Sequence, residues 1–211
     1  MGIIEILNKA GRACLFFGIK GGVGTSAVIA TVTGILVEHG AVHFELSLEP
    51  DAWCYYGKST GEAEGSGKYY SLKSRVPGEV PVLLIDVGTD APLEEVSLAF
   101  SFSDCVVMVI DRSEISFNLA RKYLEAGVVP DVLVVCRTFP GLGNGAEVCQ
   151  GEFGRYGIGT IIGVPGSVDE ERAVISAQRR GVSPCGQSVE LDAAAGEIAA
   201  AILQKMEVRS C

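Results

Sequence analysis

The feature that most constrains this chain is a glycine-rich run, Gly18-Ile19-Lys20-Gly21-Gly22-Val23-Gly24-Thr25-Ser26. It stands between two apolar stretches of different character. Ala13–Phe17 is an unbroken apolar run, the mark of a strand buried on both faces. Ala27–Val37 reads as a helix. Strand, glycine turn and helix in that order predict a phosphate cradle. Glycines let backbone N–H groups approach an anion closely, and the helix N-terminus adds partial positive charge. The main-chain N–H groups of residues 21–26 are therefore the expected phosphate donors.

The rest of the chain repeats the strand–helix alternation. Apolar strand-length runs fall at Ala41–Leu46, Val80–Ile85, Cys105–Ile110, Asp131–Cys136 and Thr160–Val164. Helical patterns fall at Ala91–Phe102, from Glu114 to about Ala126, around Ala146–Tyr156, up to Arg180, and over Gln187–Met206. Short, non-alternating strands separated by helices predict an α/β fold. It has three layers, with a mostly parallel central sheet flanked by helices on both faces. The site is expected beyond the strand C-termini.

The chain has 211 residues and is expected to be a single domain over 1–211. A hydrophobic fraction of 48% and a mean hydropathy of +0.34 argue against disorder. Two stretches stand apart. Residues 1–11 read as a short helix or lead-in, with Ile3, Ile4 and Leu7 on one face. Residues 52–79 read as a surface excursion punctuated by glycine and flanked by Trp53, Tyr55, Tyr56, Tyr69 and Tyr70. No apolar run is long and charge-free enough for a transmembrane helix.

Charge and cysteine usage narrow the function. A net charge of −9 repels a phosphate backbone and weighs against nucleic acid as a partner. The seven cysteines include no C-x-x-C pair, and only two histidines accompany them, so a cysteine–histidine metal site has no spacing support. An odd cysteine count without a leader pattern points to a reducing, cytoplasmic setting.

Asp86 ends the apolar run Val80–Ile85. A carboxylate at the C-terminal end of a buried parallel strand is placed to hold magnesium beside the hydroxyl of Ser26. An aspartate capping the following turn is the plainer reading of the same position. The ordinary phosphate loop also carries lysine immediately before its Ser/Thr. Here that position is Thr25.

The run K-G-G-V-G-T-S resembles the deviant Walker A loop of the MinD/ParA superfamily, written K-G-G-x-G-K-[ST]. Lys20 matches the signature lysine. Gly21, Gly22 and Gly24 match the glycines, Val23 takes the variable position, and Ser26 matches the magnesium-ligand hydroxyl. Retention of the first lysine with a small residue at the second is similar to the TadZ/CpaE branch of localisation proteins.

The resemblance implies further roles. Asp86 falls at the superfamily's magnesium-side aspartate. The superfamily's D-x-D pair after the second strand falls on Ser47 and Glu49, so Glu49 is implied beside the metal while Ser47 lacks the water-orienting carboxylate. An asparagine that usually faces adenine is replaced at Cys136-Arg137, leaving Arg137 to stack on the base. Pro165 falls in the proline turn that borders it. The receiver-like N-terminal domain of that branch is not seen ahead of the loop.

The implied function is binding of ATP or ADP with Mg2+ by a homodimer. Its partner would be a protein of a pilus or polar assembly, met in the cytoplasm or at the inner membrane face. Loss of lysine at Thr25 and of aspartate at Ser47 implies slow or absent hydrolysis. An active ATPase of cell-division or partition type and a nucleotide-free scaffold are the competing expectations.

Overall fold

The computed structural model describes residues 3–75, 78–138 and 145–208. Residues 139–144 lie outside the described residues, as does Cys211. The strands are β1 (Ala10–Gly18), β2 (Ala41–Leu46), β3 (Tyr69–Ser71), β4 (Val80–Val87), β5 (Cys105–Asp111), β6 (Val132–Thr138) and β7 (Thr160–Pro165). The helices are α1 (Ile3–Leu7), α2 (Thr25–Ile35), α3 (Thr60–Gly65), α4 (Leu93–Phe102), α5 (Glu114–Glu125), α6 (Gly145–Phe153), α7 (Val168–Arg180) and α8 (Val189–Val208). Among the described residues no helix is long and apolar enough to cross a membrane.

All seven strands join one sheet in the order β3-β2-β4-β1-β5-β6-β7, and every pairing is parallel. The three-layer α/β expectation holds. Its cause is visible in β1, where successive side chains go to opposite faces. Cys14 and Phe16 pack with α2 and α8, whereas Ala13 and Leu15 pack with α1 and α4. On that second face, beside β5 and β6, α5 and α6 bury Ala120, Leu124, Cys149 and Phe153. Both faces are covered, so β5 is buried along its whole length and reads as a continuous apolar run.

Two local readings change. In α1 the buried face is Ile3, Ile6 and Leu7, while Ile4 is 52% exposed. The helix is short because β1 begins at Ala10 and pairs with Val80 of β4. The stretch expected as an excursion over 52–79 supplies the edge strand β3, with Tyr69 opposite His43 of β2. Tyr69, Tyr55, Ala52 and Ala63 form their own buried cluster, so its aromatics pin it to the body of the domain.

Helix ends follow their capping residues. Ser59, Ser113 and Ser167 accept backbone N–H groups at the starts of α3, α5 and α7. Gly181 ends α7 with φ 68°, a left-handed conformation that glycine takes without a Cβ penalty. There it lies so close to Gly57 that an added Cβ would meet its carbonyl carbon at 2.5 Å.

Candidate functional site

Strand register assembles the site. Gly18 at the end of β1 pairs with Val109, two residues before Asp111. On the other side Phe16 pairs with Asp86, and Asp86 pairs with Glu45 of β2. Asp111 in turn pairs with Cys136, which precedes Arg137. The glycine loop therefore rises between two carboxylate-bearing strand ends.

Gly24 caps α2 in the left-handed conformation, φ 101°, and the helix begins at Thr25. Lys20, Gly21, Gly22, Val23, Gly24, Thr25 and Ser26 all line a cavity of about 820 Å³. Added Cβ atoms at Gly21 and Gly22 would meet nothing within 4 Å, so the loop keeps its main chain bare toward open space. At Gly18 an added Cβ would lie 2.5 Å from Thr25 Oγ1, which places the Thr25 hydroxyl back against the end of β1.

Lys20 Nζ lies 2.7 Å from Asp111 Oδ2. Asp111 also accepts from the Ser113 N–H at 3.0 Å, the Ser113 hydroxyl at 2.6 Å and the Ser116 hydroxyl. Burial pushes the Asp111 carboxyl up, but these hydrogen bonds outweigh it and hold the group well below the usual carboxylate range. Arg137 reaches the same carboxylate at 3.8 Å. Arg137 is the one described non-glycine residue with positive φ, 60°. It sits where the β6–β7 register shifts between Val135 and Thr138.

Across the loop, Asp86 is buried in the cavity floor. Its Oδ2 lies 3.3 Å from Nε2 of the buried His43. Glu45 accepts from the N–H groups of Asp51 at 2.9 Å and Ala52 at 3.0 Å, and from the Tyr69 hydroxyl at 2.6 Å. Burial raises the Glu45 carboxyl more than those bonds lower it. Ser47 donates to Asp90 Oδ1 at 2.7 Å, and the Glu49 N–H donates to Asp90 Oδ2 at 2.9 Å. These contacts tie the loop after β2 to the loop after β4.

The residues named from sequence are thus brought together in part. The loop, Ser26, Asp86, Glu49 and Arg137 share the larger cavity. Glu49 stands on its exposed rim, tied in through its backbone N–H. Pro165 lies in an adjoining, more apolar slot of about 310 Å³, which shares Val23, Gly24, Ala27, Arg137 and Val174 with the larger cavity. Sequence reasoning passed over Asp111, Asp90 and His43 and set Glu45 aside. Asp111 carried the same signal as Asp86, a carboxylate ending a buried strand. His43 carried only the oddity of a histidine in an apolar strand.

The donor set suits a hard cation. The cavity is lined by the carboxylates Glu45, Glu49, Asp51, Asp86 and Asp90 together with the Ser26 hydroxyl. Magnesium takes oxygen ligands and is usually held by one or two carboxylates plus phosphate oxygens. Among the described residues no cluster of three His, Cys, Asp or Glu side chains is arranged to hold a metal alone. Lys20 and Arg137 both face Asp111, so a bare polyphosphate entering here meets mostly negative charge. A magnesium complex fits the chemistry better than the free anion.

The fold is that of a P-loop NTPase-like α/β domain, and the solved structures similar to it include MinD and ParA ATPases. The chain is similar to a ParA family ATPase from Chlorobium tepidum TLS, with TM-score 0.67 and 15% identity over 91% of this chain and 98% of that one. It is similar to the septum site-determining protein MinD of Pyrococcus horikoshii OT3 complexed with Mg-ADP, with TM-score 0.63 and 14% identity over 89% and 94%. It is also similar to MinD in the MinC:MinD complex of Aquifex aeolicus, with TM-score 0.57 and 12% identity over 92% and 96%. No protein-family model matches the chain. No curated protein matches it either.

Proposed function

We propose that this chain is a nucleotide-binding switch of the MinD/ParA type, one that takes ATP with magnesium and hydrolyses it slowly or not at all. The observation that carries the reading is the bare glycine loop at the start of α2, lining one cavity with Ser26 and Asp86. In this reading the N–H groups of residues 21–26 cradle the phosphates. Ser26 and Asp86 hold the cation, with Glu49 at its rim. Arg137 and Pro165 border the base. When bound, magnesium supplies charge neutralisation between the phosphates and the acidic cavity floor.

Lys20, which lines the cavity, reaches phosphate in competition with Asp111. Thr25 supplies no ammonium group to the β- and γ-phosphates, a contact worth most in the transition state. Ser47 has no carboxylate of its own to orient water. Both differences favour binding over turnover. The solved relatives support the ligand class, since one of them carries Mg-ADP.

We further propose a homodimer that docks a pilus or polar assembly in the manner of TadZ/CpaE proteins, in the cytoplasm or against the inner membrane face. The support is Lys20 retained beside Thr25. A solved relative in complex with MinC makes a protein partner a reasonable mode for this fold.

Titration calorimetry with ATP, with and without magnesium, tests the reading, and Lys20→Ala serves as control. Magnesium-dependent binding with negligible phosphate release is expected. Rapid turnover would replace the switch by an ATPase of partition or cell-division type. No binding by a folded chain would leave a scaffold. A fluorescent fusion that stays diffuse in cells would remove the localisation role.

A further inference from the structure

His43 is 0% exposed in the middle of β2. A buried imidazole is costly unless both ring nitrogens find partners. Both do: Nε2 faces Asp86 Oδ2 at 3.3 Å, and Nδ1 faces the Tyr56 hydroxyl at 2.9 Å. An ionised carboxylate only accepts, so Nε2 carries the hydrogen. In the neutral ring Nδ1 is then an acceptor, and the Tyr56 O–H donates to it. The chain of donors runs from Tyr56 through His43 to Asp86. Among the described residues His43 is the only side-chain hydrogen-bond partner of Asp86.

The relay is held rigid by its surroundings. Tyr56 stacks on Tyr69 with ring centroids 5.4 Å apart, and both rings meet His43 edge-on at 79° and 78°. Tyr69 is itself fixed through its hydroxyl on Glu45. Tyr56 belongs to the stretch after β2, and Asp86 is the next-to-last residue of β4. A segment outside the glycine loop is therefore wired to the carboxylate that faces the cavity.

We propose that Tyr56 and His43 are positioning residues for Asp86, fixing one carboxylate oxygen by an O–H···N and N–H···O chain so that the stretch after β2 sets magnesium affinity. The inference rests on the nucleotide–magnesium reading above and deepens it. Partners that orient a ligating carboxylate matter in other metal sites, and their loss costs about 10- to 100-fold in metal affinity. Packing alone would predict a lower melting temperature with no change in the magnesium effect.

The test uses the full chain and the variants Tyr56→Phe, His43→Leu and His43→Gln. ATP is titrated by calorimetry in magnesium and again in EDTA. In EDTA the variants are expected to bind ATP as the parent does. The gain conferred by magnesium is expected to fall about tenfold in Tyr56→Phe and His43→Leu. His43→Gln keeps an N–H where Nε2 stands and should recover most of it. An unchanged magnesium gain in Tyr56→Phe overturns the proposal.

His43→Leu sets an apolar group against a buried carboxylate and is the variant most exposed to misfolding. Tyr56→Phe removes a single oxygen and carries the test without it. A second readout needs no nucleotide. Imidazole 15N NMR of the free protein should show the Nε2–H tautomer of His43, with Tyr56→Phe keeping that tautomer, which Asp86 sets, while the Nδ1 resonance shifts as its hydrogen bond is lost. An Nδ1–H tautomer in the parent overturns the relay. Failure of the parent to bind ATP in either buffer would instead overturn the nucleotide reading, and the tautomer would still decide the relay.

Discussion

Lys20 and Asp111 form the shortest ion pair across the glycine loop's own flank, 2.7 Å between Nζ and Oδ2. The lysine that opens the loop is thereby tied to the end of the neighbouring strand and directed at a carboxylate. Asp111 is nearly buried, and two serine hydroxyls complete its shell. The pair neutralises the loop until something competes for the lysine.

Asp111→Asn should release it. A hydrogen bond to a charged group contributes about 1.5–3 kcal/mol, so magnesium–ATP binding should tighten by about tenfold or more. Calorimetry measures this directly, and unchanged affinity would show that Lys20 does not move to the ligand.

The same substitution changes acid stability. The Asp111 carboxyl is held low in the folded chain, so the unfolded chain takes up that proton first as pH falls. Its stabilising contribution is full above the ordinary aspartate range and is lost as pH drops through the folded value. Denaturant midpoints across that window should fall less steeply for Asp111→Asn than for the parent chain.

Thr25→Lys should raise phosphate release about 10- to 100-fold, because a cation at this position acts on charge that grows in the transition state. Steady-state phosphate release is the measurement. A rate no different from the parent would assign the slow step elsewhere, with Ser47 the next position to restore.

Gly166→Ala should destabilise the domain by about 1–3 kcal/mol. The new Cβ would fall 2.4 Å from the Arg137 Cα and 3.1 Å from its carbonyl carbon. Backbone atoms of a bulged strand cannot yield as a side chain does. Arg137→Gly relieves a left-handed residue and should stabilise by about 1 kcal/mol, yet it should not rescue Gly166→Ala. Thermal melts of the two single variants and the double variant decide this.

Asp90→Ala should loosen the loop after β2 while leaving the fold intact. It removes acceptors from Ser47 and from the Glu49 N–H, each worth about 0.5–1.5 kcal/mol. Hydrogen exchange at the Glu49 amide should quicken by about tenfold, with little change at the amides of β5.

Much of the architecture could be read from residues alone, because period and punctuation are local. Val80–Ile85, Cys105–Ile110 and Thr160–Val164 are read as strands from their apolar runs, and they form parallel strands within a residue or two of the expected bounds, the first two largely buried and the third a half-buried edge. The loop was legible for the same reason, since glycines, Lys20 and Ser26 lie within one short stretch. Less legible was Tyr69–Ser71, where three residues after the turn at Gly67 become an edge strand only because β2 offers an open edge.

What the sequence by itself determined is the parallel α/β layering and the glycine-rich strand-to-helix turn before α2, because both arise from contiguous residues and their period. Tertiary structure alone decided the pairings. Lys20 finds Asp111, 91 residues away, through the β1–β5 register. His43 finds Asp86, 43 residues away, through the β2–β4 register. Such contacts depend on which strands become neighbours, and strand order is a property of the whole folded chain.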